Sequence, residues 1–390
     1  MSSRAAAPTP PEANINAEGD PVSQMDIAAK PAPTGYYEWD PNEDDVLICR
    51  AVRAETHDVK TFVFAPRRGR HFTYLPGQFL TFEFEIGGET IYRCYTISSS
   101  PTRPDTVSIT VKRVRNGPVS NWLHDNFRPG MMLRATGPMG EFSWAVSPAQ
   151  PKYLLLSGGS GVTPMMSMAR SAYDLAEIRD TLFVHAARSP ADIVYRDELD
   201  FMARRNRSIR VAHICEDDAP HESWTGLRGR LTRPMLDALA PDFRERIVFV
   251  CGPAPFMAAV RTMLAEAGFD MSRHFEESFN FEELPAAERE AVEEASEELA
   301  SDTATFRIEF AKTKRVVECP SNLTILDAAR RAGMRLPSSC TKGLCGTCKS
   351  KKLSGEVEMT HQGGIRQREV DQGMVLICCS KPLSDVVIDR

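Results

Sequence analysis

Three successive domains are predicted for this sequence of 390 residues: an antiparallel β-barrel, an α/β domain with a parallel sheet, and a small α+β domain built round a cysteine loop. Three observations carry the assignment. Between Val46 and about Trp144, short apolar runs (VLICRAV, TFVFAP, FLTFEFEI, VSITVKRV) are punctuated by Pro76-Gly77, Gly87-Gly88 and Pro138, the pattern of half-buried strands joined by tight turns. From Lys152 onward, buried strands (YLLLSG, TLFVHAA, IRVAHIC, IVFVCG) alternate with helical stretches such as PFMAAVRTMLAEAG, as parallel sheets with crossover helices do. Of ten cysteines, Cys340, Cys345, Cys348, Cys378 and Cys379 crowd the end of the chain.

Length makes a modular chain natural, because single cores seldom grow past about 250 to 300 residues. The expected boundaries are a mobile tail over 1–40, the barrel over 41–147, the α/β domain over 148–279, an acidic linker over 280–304 and the cysteine domain over 305–390. The tail is rich in Ala, Pro, Asn and Asp and has few large apolar residues to bury. Eleven acidic residues face one Arg between Glu276 and Asp302, the mark of a solvated, partly helical spacer. With 42% hydrophobic and 26% charged residues the composition is that of an ordinary globular chain. A net charge of -6 argues against a nucleic-acid binder. No apolar run is long enough to span a bilayer and no secretion signal is visible, so no membrane partner and a cytoplasmic location are expected.

In the barrel, strand alternation turns Arg93 and Tyr95 of Arg93-Cys94-Tyr95-Thr96 to one face. This stretch, followed by Ile97-Ser98-Ser99-Ser100-Pro101, resembles the Arg-x-Tyr-Ser/Thr motif of the ferredoxin-NADP reductase superfamily. The resemblance implies a flavin whose phosphate is held by Arg93, whose ring lies against Tyr95, and whose N5 meets a hydrogen bond from Thr96. Further on, Gly117-Pro118-Val119-Ser120 opens a helical stretch. Free N–H groups and the Ser120 hydroxyl there suit a pyrophosphate, hence FAD rather than FMN. Alone, an Arg-x-Tyr strand is more often a surface pair.

In the second domain, Gly158-Gly159-Ser160-Gly161-Val162-Thr163-Pro164 follows a strand and opens a helix. Glycines let the backbone approach a dinucleotide, Thr163 can cap the helix and Pro164 suits its first turn. A simple tight connection is the alternative. Cys251-Gly252-Pro253, at another strand end, and Glu277-Ser278-Phe279 also match the superfamily. The resemblance places Cys251 and Glu277 near the nicotinamide and Phe279 near the flavin. Arg188 and Ser189 stand where a 2′-phosphate would be read and leave NADPH open. His185-x-x-Arg188 with Arg196-Asp197-Glu198-Leu199 resembles NADH-using members, so NADH is the expected donor.

Cys340, Cys345 and Cys348 follow the spacing C-x4-C-x2-C, with Cys378 after 29 intervening residues. This is the plant-type [2Fe-2S] pattern. The alternative, structural zinc on four thiolates, favours paired C-x2-C hooks. Either Cys378 or Cys379 completes the set. The resemblance to plant-type ferredoxins implies a β-grasp fold and, through Pro382 four residues on, selects Cys378. His361 reads as an ordinary loop histidine.

The order of the three domains resembles the reductase components of Rieske-type oxygenases and hybrid-cluster protein reductases. Met359 through Ile365 and Cys378 through Pro382 are most similar to the branch that serves glycine betaine monooxygenase. The implied activity is an NAD(P)H-dependent iron-sulfur flavoprotein oxidoreductase that passes electrons from NADH through FAD and [2Fe-2S] to an oxygenase component acting on a quaternary ammonium compound. Reduction of a hybrid-cluster protein, or a redox sensor without turnover, are the alternatives. Lys342, Lys349, Lys351, Lys352, Arg366 and Arg368 form an expected basic patch, which either steers an acidic partner or merely solubilises the domain.

Overall fold

A computed structural model describes residues 37–40, 43, 45–145, 152–279, 304–334, 336–338 and 340–390. The linker expected over 280–304 lies outside these residues except for Ala304, and so does the tail over 1–36. The tail's boundary at 40 needs correcting. Tyr37–Glu38 pairs with Arg70–His71, and the buried Trp39 donates from its indole nitrogen to the Gly137 carbonyl at 2.8 Å.

Six strands build the first sheet, in the order Glu89–Thr96, Phe79–Ile86, Met132–Met139, Val46–Ala54, Val59–Pro66 and Val107–Lys112. Every neighbouring pair is antiparallel. A bridge between Ile97 and Ile109 brings the two outer ends together into a barrel. Phe62, Phe64, Leu80, Phe82 and Phe84 fill its interior, with Leu123 of the helix Pro118–Asn126 closing it. Alternation of apolar and polar residues, legible in the sequence, is what gives these strands one inward face.

The second sheet is parallel throughout, in the order Leu227–Arg228, Ile209–Cys215, Asp180–Ala187, Lys152–Gly158, Ile247–Cys251 and His274–Glu277. Its strands are apolar on both faces because both are covered. Leu154, Leu156, Val248 and Val250 pack with Val260 and Leu264 of the helix Ala254–Glu266. Leu155, Phe183 and Phe249 pack with Met165, Met166 and Ala169 of the helix Val162–Asp174. The chain starts in the middle of the sheet at Lys152–Gly158, runs to one side, and returns to the other at Ile247–Cys251. Between these two strands lies the switch point where open α/β sheets bind ligands.

The third domain has a mixed five-stranded sheet, in the order Arg315–Pro320, Thr305–Phe310, Val386–Ile388, Lys349–Ser354 and Met374–Leu376. The helix Ile325–Arg331 packs on it, and Thr324 caps that helix by accepting from Asp327 N. Among the described residues no helix is long and apolar enough to cross a membrane.

Candidate functional site

Along Glu89–Thr96, register with Phe79–Ile86 sets Tyr95 opposite Leu80, Arg93 opposite Phe82, and Cys94 opposite Thr81. Alternate residues point to opposite faces. Tyr95 lies 6.2 Å from the Phe82 ring and 6.4 Å from Phe84, and burial pushes its phenol well above the ordinary value. Arg93 donates to the Tyr92 carbonyl at 2.8 Å. An aromatic ring and a guanidinium on one strand fit a flavin.

Gly117 is the N-cap of the helix Pro118–Asn126, with Pro118 at its first turn. The Ser120 hydroxyl, expected to hold a phosphate, instead accepts from Val114 N at 3.1 Å and donates to the Gly117 carbonyl at 3.3 Å. It shapes the loop, and the backbone N–H groups of the first turn are left as the phosphate donors.

At the switch point the glycines allow contact that a side chain would block. A Cβ on Gly161 would fall 2.2 Å from the Cys251 carbonyl oxygen, and one on Gly252 would fall 3.1 Å from Gly158 N. The two strand ends therefore meet backbone to backbone, as the sequence expects. Gly159 takes a positive φ of 53° in the turn. Thr163 does not cap the helix: its hydroxyl donates to the Ser160 carbonyl at 3.3 Å, and the N-cap is Gly161. Pro164 sits in the first turn and Pro253 is the N-cap of the helix Ala254–Glu266.

The expected hydride-site residues come together. Cys251 is fully buried and stands in register with Glu277 on the next strand. The Thr96 hydroxyl donates to the Glu277 carboxylate at 3.3 Å, joining the flavin strand to the last strand of the nicotinamide sheet. Burial pushes the Glu277 carboxyl up to about 8, against the pull of the Thr96 hydrogen bond. Phe279 packs on the core of the nicotinamide sheet. Arg188 is exposed but lies 3.6 Å from Asp58 and 3.9 Å from Asp192, and Ser189 donates to Asp192 at 2.7 Å. Carboxylates already face both groups, which disfavours a 2′-phosphate there.

In the cysteine domain, Leu344 N and Cys345 N each point at Cys340 Sγ at 3.2 Å. Cys345, Cys348 and Cys378 are buried. Among the described residues the one trio of His, Cys, Asp or Glu whose ligand atoms lie within 4.8 Å of one another is His57, Asp58 and Asp192. Backbone N–H groups aimed at a loop sulfur fit an iron–sulfur cluster. Cys379 accompanies Cys378 but turns its Sγ to the Leu376 carbonyl at 3.6 Å.

Two of the six bases, Lys349 and Arg366, are buried, while Lys342, Lys351 and Arg368 are exposed and Lys352 is half-buried. Lys349 is 2% exposed, pairs with Glu369 at 2.7 Å and lies 4.7 Å above the Tyr92 ring of the barrel. Arg366 is buried and donates to the barrel's Ala135 carbonyl at 3.0 Å, while Arg368 pairs with Asp45 at 2.8 Å. Lys351 donates to the Gln372 carbonyl and Lys352 to that of Gly355. Lys349, Arg366 and Arg368 join the domain to the barrel, Lys351 and Lys352 bond within their own domain, and Lys342 is exposed on the cluster loop. Sequence reasoning missed Asp45, Thr81 and Thr347, each of which meets a partner across the domain boundary. No local pattern announces such residues.

Comparison with known proteins follows the same division. Residues 49–144 match the oxidoreductase FAD-binding domain, 155–262 the oxidoreductase NAD-binding domain, and 308–383 the 2Fe-2S iron-sulfur cluster binding domain. The chain is 47% identical over 351 residues to a glycine betaine monooxygenase reductase subunit of Pseudomonas aeruginosa, covering 89% of this chain and 96% of that one. It is 42% identical to a stachydrine N-demethylase reductase subunit of Rhizobium meliloti, covering 89% and 97%. Among solved structures, phthalate dioxygenase reductase shares the fold with a TM-score of 0.53 at 23% identity, over 90% of this chain and 100% of that one.

Proposed function

The chain belongs to the family of monooxygenase reductase subunits with FAD-, NAD- and 2Fe-2S-binding domains, and we propose that it draws electrons from NADH and delivers them to an oxygenase that demethylates a quaternary ammonium compound such as glycine betaine. One observation carries the reading: a single strand, Glu89–Thr96, touches the nicotinamide domain at Glu277 and the cysteine loop at Thr347. FAD, when bound, accepts a hydride and releases electrons singly to a one-electron [2Fe-2S] carrier.

The protein's residues bind and orient. Arg93 and Tyr95 hold the flavin, with the first-turn N–H groups after Gly117 toward its pyrophosphate. Gly158, Gly159, Gly161, Gly252 and Pro253 line the dinucleotide crevice. Thr96 places a hydroxyl, and Glu277 a carboxyl whose hold on its proton burial strengthens, on the side where Cys251 closes the sheet. Cys340, Cys345, Cys348 and Cys378 hold the cluster. Carboxylates round Arg188 support NADH over NADPH. Besides the four cluster ligands, six cysteines among the described residues stand outside disulfides, which supports the cytoplasm as the location.

The test is reconstitution with an oxygenase component and glycine betaine. NADH-dependent release of formaldehyde, absent when either protein is omitted, is the expected result. Turnover with a hybrid-cluster protein but none with the oxygenase would move the reading to that acceptor. Reduction of neither, in a preparation loaded with flavin and iron, would leave a redox sensor.

A further inference from the structure

Resting on the reading above, we propose that Thr81 and Cys94, side by side on the outer face of the flavin-bearing sheet, form a seat that positions the cluster loop for electron transfer and supports a hydrogen-bond chain, Cys94 to Thr347 to Cys345, that raises the cluster's potential.

Geometry supplies the argument. Cys94 stands between Arg93 and Tyr95, so alternation turns it away from the face those two share. Its register partner on the neighbouring strand is Thr81. The Thr81 hydroxyl donates to the Cys345 carbonyl, and Cys94 Sγ lies 3.9 Å from that same oxygen. Cys94 Sγ is also 2.9 Å from Thr347 Oγ1, which in turn lies 3.3 Å from Cys345 Sγ. Thr347 is fully buried, so no water competes for its hydroxyl. The fit needs Gly346: a Cβ there would fall 2.6 Å from the Gly364 carbonyl oxygen, and the position faces Thr81 Cγ2 at 3.7 Å.

Ligation fixes the donor directions. As a cluster ligand Cys345 is a thiolate and can only accept, so Thr347 donates to it and the Cys94 thiol donates to Thr347. Each link polarises the next. A hydrogen bond to a cluster sulfur favours the reduced, more negative cluster and so raises its potential. When one electron leaves the flavin, one ferric ion becomes ferrous, and no bond is made or broken at Cys94 or Thr347. The backbone from Thr96 to Cys94 and these two hydrogen bonds link the flavin motif to a cluster ligand.

The experiment is an EPR-monitored redox titration of the purified holoprotein, beside stopped-flow records of flavin reduction and cluster reduction. Cys94→Ala should lower the cluster's midpoint potential, moving the flavin–cluster equilibrium toward the flavin by roughly threefold to tenfold, the worth of one hydrogen bond. Thr347→Val should lower it at least as far. Cys94→Ser, which keeps a donor, should stay close to wild type. Should Cys94→Ala lose iron, Cys94→Val, which fills the space without donating, replaces it. A potential that is the same in the Ala, Ser and wild-type proteins overturns the inference. Failure of NADH to reduce the flavin in the wild type, or absence of a cluster signal, would instead overturn the reading on which it rests.

Discussion

The hydroxyl of Thr96 donates to the carboxylate of Glu277 at 3.3 Å, across the boundary between the barrel and the nicotinamide sheet. The flavin motif and the end of the last sheet strand, 181 positions apart in the sequence, thereby share one hydrogen bond.

Glu277 should make stability and hydride transfer depend on pH. Its carboxyl is pushed up to about 8 by burial, against an ordinary value of 4.5. Across that window the folded chain keeps a proton that the unfolded chain has lost, so Glu277 lowers stability as pH rises from the unfolded value through the folded one. Thermal melts of wild type and Glu277→Gln should be closest near pH 5, with the variant increasingly favoured by pH 9. Parallel curves at all pH values would show that the carboxyl is ionised throughout.

Cys378→Ser should abolish or badly weaken the visible absorption of the cluster, and Cys379→Ser should leave it in place, because Cys378 is buried at the ferredoxin spacing while Cys379 turns its Sγ to the Leu376 carbonyl. Flavin reduction by NADH should survive both changes. The reverse pattern of cluster loss would reassign the fourth ligand to Cys379.

Tyr95→Ala should loosen the flavin by roughly tenfold, in line with about 0.5–1.5 kcal/mol for an aromatic stack beyond burial itself. Iron content should not change. Equilibrium dialysis of the flavin checks this, and unaltered retention would make the ring part of the Phe82–Phe84 packing alone.

Lys349→Glu should destabilise the cluster domain by about 3 to 5 kcal/mol, the cost of breaking a buried ion pair, since the lysine is 2% exposed and holds Glu369 at 2.7 Å. Lys349→Met combined with Glu369→Gln, which removes both charges, should cost far less. Urea unfolding followed by cluster absorbance reads both.

Lys342→Glu should leave stability alone and slow association with the oxygenase. The effect should fade with added salt, because the Debye length is about 8 Å at physiological strength. An association rate indifferent to both charge and salt would place recognition in apolar contacts.

The sequence by itself determined the three domains, the cysteine spacing and the two glycine-lined strand ends, because each depends on short-range rules: strand alternation, apolar runs covered on both faces, and fixed ligand spacing. Position in the chain was enough to put Arg93 and Tyr95 on one face and Cys94 on the other. Tertiary structure alone decided what those faces meet. Lys349, Arg366 and Arg368 read in the sequence as part of a basic patch, steering a partner or merely solubilising, because charge without its surroundings looks solvated; in the fold, Glu369, the Ala135 carbonyl and Asp45 hold them. Ser120 and Thr163 likewise carried the right hydroxyls for their expected tasks, but nearer backbone groups engage them. Cys94 shows the division most plainly. Its direction follows from the period of a β-strand, whereas its partner Thr347 is separated from it by 253 positions and is brought within 2.9 Å only by the packing of one domain on another.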